Sequence, residues 1–190
     1  MSVAGFHASW RWGLLVVRGL VAIAAGIAGF AISPQAGKAM LAAYFAADGL
    51  LALGFAVRLH GLRGLRLLMA ADGVVDLVVA VLLFAYAPNE RLLILIVSLW
   101  AIATGVLEFI AAVFVARLPA LSWGIALIGI ASCAVGIFLV DRTDLAEIGL
   151  LYFFAAYALI AGVLFVTAGV VLARAFRPSP PATTEDRAAS

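Results

Sequence analysis

The sequence predicts an all-α polytopic membrane protein, with six transmembrane helices arranged as three parallel-repeat helical hairpins. Composition is the first reason. Hydrophobic residues make up 67% of the 190 and charged residues 12%, against about 25% charged in soluble domains. Mean hydropathy is +1.23. Such a chain cannot cover its apolar surface with polar groups, so a water-soluble globule is excluded. The second reason is layout: six continuous apolar runs, each near the ~20 residues that cross a hydrocarbon core of ~30 Å. The third is punctuation, because short stretches of Pro, Gly and charge separate the runs. Barrel strands would alternate in polarity over about 10 residues, and these runs do not.

The runs follow in order. A segment of residues 1–12 precedes the first span, Gly13–Ser33. Arg18 interrupts that run, its length exceeds a signal-peptide core, and no small-residue cleavage pattern follows, so it reads as a retained helix. Pro34-Gln35-Ala36-Gly37-Lys38 ends it. The second span, Met40–Val57, leads into the basic connection Arg58–Arg66. The third, Leu67–Ala87, stops at Pro88-Asn89-Glu90-Arg91, and the fourth, Leu92–Ala116, at Arg117-Leu118-Pro119. The fifth, Trp123–Val140, is followed by the acidic stretch Asp141–Glu147, and the sixth covers Ile148–Ala173. Connections this short make consecutive spans antiparallel neighbours, so three hairpins follow one another within a membrane domain of residues 13–176. The tail, 177–190, is rich in Pro and polar residues and reads as disordered.

Lys and Arg set the orientation, since cytoplasmic loops carry the excess. Arg11, Arg58, Arg63, Arg66, Arg117, Arg174, Arg177 and Arg187 fall on the side of the termini, whereas Lys38, Arg91 and Arg142 fall on the other. Both termini are therefore expected in the cytoplasm. The net charge of only +2 excludes a nucleic-acid-binding face. Cys133 is the single cysteine, which excludes a disulfide framework or thiolate cluster and reads as a small buried side chain. His7 and His60 lie outside the spans, so neither a zinc nor a haem site is expected. Trp10, Trp12 and Trp123 stand at span entries and fit an aromatic belt; Trp100 and Tyr157 lie deeper and read as packing residues. No cofactor, metal or catalytic motif is expected.

The hairpins repeat. In the first helix of each, two small residues stand seven apart: Gly19 and Gly26, then Gly73 and Ala80, then Gly129 and Gly136, at offsets of 54 and 56. In the second helices Tyr44 and Gly49 become Trp100 and Gly105, then Tyr157 and Gly162, at offsets of 56 and 57. The units cover about 10–66, 67–118 and 119–176. Each contains two spans, so all three enter the membrane in the same direction, unlike the inverted repeats of many transporters. The small residues are read as places where helices approach closely.

Trp12, Arg18-Gly19 and Gly26 before Pro34, then Asp48-Gly49, then Asp72-Gly73 with Pro88, make the chain similar to the HdeD family of bacterial acid-resistance membrane proteins. The resemblance covers about Trp10 to Phe176. It implies a bacterial inner-membrane protein connected with acid stress, and it carries no catalytic site. The third unit departs from it, with Ile128 in place of Arg18 and Asp72 and no proline after the helix.

The informative residues are the charges inside the spans: Arg18, Asp48, Asp72, Asp76 and Glu108. A charge at mid-bilayer costs at least about 2.5–3.5 kcal/mol on insertion scales, so it faces a partner or a wet cavity. Spans five and six have none, and the polar interior is expected from spans one to four. Arg18 and Asp72 occupy equivalent positions at one depth and form the expected ion pair, with Glu108 as second partner. Asp48 and Asp76 are expected nearer the middle with no cation at their level. Asp72 and Asp76 share a face at i, i+4. Carboxyls left without a cation are candidates for protonation, and Tyr44, Ser98 and Thr104 are candidate hydrogen-bond donors to the rest. The bland alternative is that these groups only pin helices together.

The leading functional expectation is a non-enzymatic membrane protein supporting tolerance of acid or envelope stress. A small proton-coupled transporter or channel is the second, and would need a wet path through the apolar outer half of the spans. A scaffold or accessory subunit of a larger complex is the third. A lipid-modifying enzyme would need a nucleophile–base pair or metal cluster at one interface, and the sequence offers neither. The expected partners are the lipid bilayer and either a second copy or another membrane protein.

Overall fold

A computed structural model describes residues 3–59, 63–86, 89–117, 119–142 and 147–175. The described residues form six helices and no strand: α1 (Val3–Ala31), α2 (Pro34–Arg58), α3 (Arg63–Tyr86), α4 (Glu90–Phe114), α5 (Pro119–Val140) and α6 (Glu147–Ala175). All six are long and apolar enough to cross a membrane. Their outer faces carry Phe84, Val57, Trp123 and Ile137 at 63–81% exposure, an arrangement that only an apolar surrounding medium tolerates. Readings that concern His60, Pro88, Asp144, the side chains of His7, Trp10 and Trp12, and the tail 177–190 lie outside the described residues.

Helices extend beyond the apolar runs. α1 begins ten residues before Gly13, and α3 takes in Arg63 and Arg66, which shortens the connection after α2. Pro34 and Pro119 start helices rather than merely ending the preceding ones. A proline fits the first helical position because the N–H it lacks would have had no intrahelical partner there. Asn89 caps α4, its side-chain oxygen accepting from Leu92 N at 2.9 Å in the manner that satisfies one orphan donor.

Packing within the three-hairpin arrangement is uneven. Consecutive helices within a hairpin pack less extensively than helices from neighbouring hairpins: the broad interfaces are α2 with α3, α4 with α5, and α6 with α1. Each broad interface is a glycine seam. A Cβ on Gly49 would stand 2.8 Å from Gly73 O, one on Gly105 2.6 Å from Gly129 O, and one on Gly19 2.6 Å from Gly162 O. In each case the second-helix glycine of one unit meets the first-helix glycine of the next, and the third seam returns to the first unit. Three parallel units thus close into a ring. Gly136 presses on Ser98 O of α4 and Gly26 on Ala155 O of α6, one turn-pair along the same seams, while Ala80 at the matching position is buried.

The half of the interior away from the termini is filled by rings. Phe45 is completely buried and meets Trp100 edge-on at 4.6 Å and Phe154 at 5.7 Å, while Tyr44 meets Phe154 at 5.1 Å. Leu41, Leu83, Ile94, Leu139 and Leu150 complete this apolar core. It closes the bundle above the charged residues.

Candidate functional site: a buried carboxyl cluster around one arginine

The seam glycines decide where the charges meet. Arg18, Asp48 and Asp72 each immediately precede one (Gly19, Gly49, Gly73), so close helix approach brings the three side chains to one level. Arg18 is 8% exposed, Asp48 and Asp72 2%, Asp76 0% and Glu108 9%.

Arg18 is the hub. Its Nε donates to Asp48 Oδ1 at 2.7 Å and its Nη2 to Asp48 Oδ2 at 2.7 Å, the bidentate fork that suits guanidinium and carboxylate. Nη2 also donates to Asp72 Oδ2 at 2.6 Å and lies 3.7 Å from Asp76 Oδ2. Phe165 of α6 packs under the guanidinium, 5.0 Å from ring centroid to Cζ, a favourable placement for a cation over a π face. Asp76 Oδ1 accepts from Trp100 Nε1 at 2.6 Å. Glu108 Oε2 accepts from Ser132 Oγ at 3.2 Å, and Ser132 Oγ also lies 2.7 Å from the Tyr157 hydroxyl.

Several sequence expectations change. Arg18 does reach Asp72, yet its second strong partner is Asp48 rather than Glu108. Asp48 and Asp76 do not lack a cation at their level: the long arginine stem carries its head to both. The expected donors Ser98 and Thr104 turn away from the cluster. Ser98 Oγ donates to Ile94 O at 2.6 Å and Thr104 Oγ1 to Trp100 O at 3.0 Å, because a hydroxyl in a dry helix is satisfied most simply by the carbonyl one turn back. Tyr44 presents its ring to Phe45 and Phe154. Trp100, Ser132 and Phe165 take their places at the site, so α5 and α6 contribute to the polar interior after all. The repeat register held that signal: Ser132 is the counterpart of Asp76, and Phe165 of Glu108.

Two oxygens stand out. Asp72 Oδ1 and Asp76 Oδ2 are buried and have no hydrogen-bond partner among the described residues, although buried polar atoms are almost always paired. Both belong to carboxyls one turn apart on α3. On the side of the termini, a cavity of about 10 Å³ touches Arg18 between Leu14, Leu15, Leu51, Phe55 and Met69, the room that one water needs. On the other side the ring cluster blocks approach. Among the described residues no three metal-binding side chains are grouped to hold an ion. The arrangement can hold charge and protons; it presents no nucleophile with a base.

Compared with known proteins, the chain matches no family model, no curated protein and no solved structure.

Proposed function

We propose that this is a non-enzymatic protein of the bacterial inner membrane that supports tolerance of acid or envelope stress, with the Arg18 cluster as its proton-responsive element. One observation carries the reading: three buried carboxyls, Asp48, Asp72 and Asp76, crowd a single guanidinium with a fourth, Glu108, buried on α4, and among the described residues two of their oxygens have no donor. A proton is the smallest group that turns an unpaired acceptor oxygen into a hydroxyl donor and removes like-charge repulsion, and desolvation favours the neutral acid over an unpaired carboxylate. The basic residues on the terminal side support a cytoplasmic placement of both termini, and a one-water cavity lies beside Arg18 on that side. The resemblance to the HdeD family supplies the link to acid. Transport across the membrane is less well supported, since the described residues offer no polar step past Phe45 and Phe154.

The test is acid survival of a source strain that lacks the protein, complemented at equal membrane levels. Wild type restores survival. Asp76→Asn with Glu108→Gln, which keeps size and hydrogen bonding but removes two titratable groups, does not. Equal survival of both strains rejects the proposal.

A further inference from the structure

Each hairpin is tied internally by a polar bond, and the third tie is the weakest. Arg18–Asp48 joins α1 to α2, Asp76–Trp100 joins α3 to α4, and among the described residues the hydroxyl pair Ser132–Tyr157 joins α5 to α6. Ile128 stands where the other units place Arg18 and Asp72, and Ala161 stands where the first places Asp48. Of all consecutive helices, α5 and α6 pack least extensively, and a groove of about 170 Å³ opens between them.

The groove is apolar and faces outward. Ile128 and Ala161 form a buried floor, while Phe153 and Ile160 on the rim are 40% and 62% exposed. It runs along α6 from Phe153 to Leu164, about 16 Å at the helical rise. The Tyr157 ring lines its middle. An apolar cavity of roughly 150 Å³ stays dry and accepts an apolar guest, and the medium outside these spans is hydrocarbon.

The chemistry at its far end identifies the guest further. Phe138 packs on Phe153 at 5.3 Å, and the Arg142 guanidinium lies 5.4 Å over Phe138. Arg142 is exposed beside exposed Asp141, and α6 begins at Glu147. A cation beside a carboxylate at the mouth of an apolar slot complements a phosphate and an ammonium above a hydrocarbon chain. We propose that the α5–α6 groove binds one acyl chain of a zwitterionic aminophospholipid, with its phosphate on Arg142. A purely anionic lipid would meet Asp141 without offering it a countercharge.

Native mass spectrometry of the full chain, released from detergent supplemented in turn with phosphatidylethanolamine, phosphatidylglycerol or oleic acid, tests this. One phosphatidylethanolamine is retained by wild type. Ala156→Trp, which fills the groove, weakens retention by about tenfold or more, whereas Ala43→Trp at the exposed, repeat-equivalent position of α2 leaves it unchanged. Arg142→Gln abolishes the preference for phosphatidylethanolamine over oleic acid. Should Ala156→Trp fail to fold, Ala131→Trp fills the same groove from α5 and is expected to act alike. Equal retention of phosphatidylglycerol or oleic acid by wild type, undiminished binding by the groove-filling variants, or a dimer with an empty groove overturns the proposal.

Discussion

Arg18 and Asp48 meet fork to fork between α1 and α2, at 2.7 Å for both bonds, and each is the residue just before a seam glycine. The two glycines serve different seams: Gly19 faces Gly162, and Gly49 faces Gly73. The first hairpin is therefore gripped by both its neighbours through backbone contact while its own helices are joined by charge. Packing and electrostatics are fixed by adjacent residues, so neither can shift without the other.

Breaking that pair should show strong coupling. Removing one partner of a buried ion pair costs roughly 3–5 kcal/mol in reference cases, whereas replacing both by apolar groups is often near neutral. Arg18→Leu is expected to destabilise the detergent-solubilised protein by that order, and Arg18→Leu with Asp48→Leu by clearly less than the sum of the single changes. Denaturation midpoints of the four proteins of this cycle check it. Additive losses would show that the residues act independently.

The seams predict a contrast among glycines. Gly49→Ala puts a methyl 2.8 Å from Gly73 O, a backbone atom that cannot swing aside, whereas Gly54→Ala meets nothing within 4 Å. Gly49→Ala should lower thermal stability and Gly54→Ala should leave it unchanged or raise it, since alanine favours the helix by about 1 kcal/mol over glycine. Gly105→Ala and Gly162→Ala should match Gly49→Ala, because the three seams repeat.

Much of this was readable from the chain. Apolar runs locate helices because a membrane helix must satisfy its backbone internally, and the small residues at constant offsets mark close approach. Which helix each glycine faces was not readable: short connections make every consecutive pair of helices neighbours and do not say that the tightest contacts join successive units. The charges were found because ionisable residues are conspicuous in a hydrocarbon. Arg18's reach to Asp48 and Asp76 was missed because depth was counted along the backbone, whereas a guanidinium stands several bonds away from its Cα. Trp100 looked like packing because its one polar atom is small beside its ring.

Trp100 should then matter for more than volume. Its Nε1 is the described donor to Asp76 Oδ1, and leaving a buried acceptor unpaired costs about 1–3 kcal/mol. Trp100→Phe keeps much of the ring contact with Phe45 yet removes the donor. It is expected to destabilise the protein by that amount, and Asp76→Leu in the same background should restore part of the loss. No recovery would mean that only the ring is used.

Orientation can be read by cysteine accessibility in intact cells, in a background where Cys133 is replaced by Ala. Asn89 and Arg63 are both exposed and lie at opposite ends of α3. An impermeant maleimide is expected to label Asn89→Cys and to label Arg63→Cys only after the cells are opened. The reverse pattern would place the termini and the basic residues outside, against the usual excess of positive charge in the cytoplasm.

The proton-responsive reading has a signed thermodynamic consequence. Asp76 is faced by Arg18 from α1 and Trp100 from α4, with Asp72 one turn away on its own helix and Asp48 across the guanidinium. A proton on Asp76 Oδ2 turns an acceptor with no described partner into a hydroxyl donor. In the unfolded chain the same carboxyl is an ordinary aspartate, with a pKa of about 3.9. If the folded protein holds the proton under conditions where the unfolded chain has released it, the folded state binds more protons, and stability rises as pH falls. The melting temperature of the purified protein should therefore climb as pH is lowered from about 8 to about 5 and level off near the unfolded value, where both states carry the proton. Asp76→Asn supplies a permanent amide donor and cannot titrate. It should melt near the acidic wild-type value, with a flatter pH profile that Glu108→Gln flattens further. A wild type whose melting is independent of pH, or a variant with the same slope as wild type, would leave these carboxyls as helix ties alone.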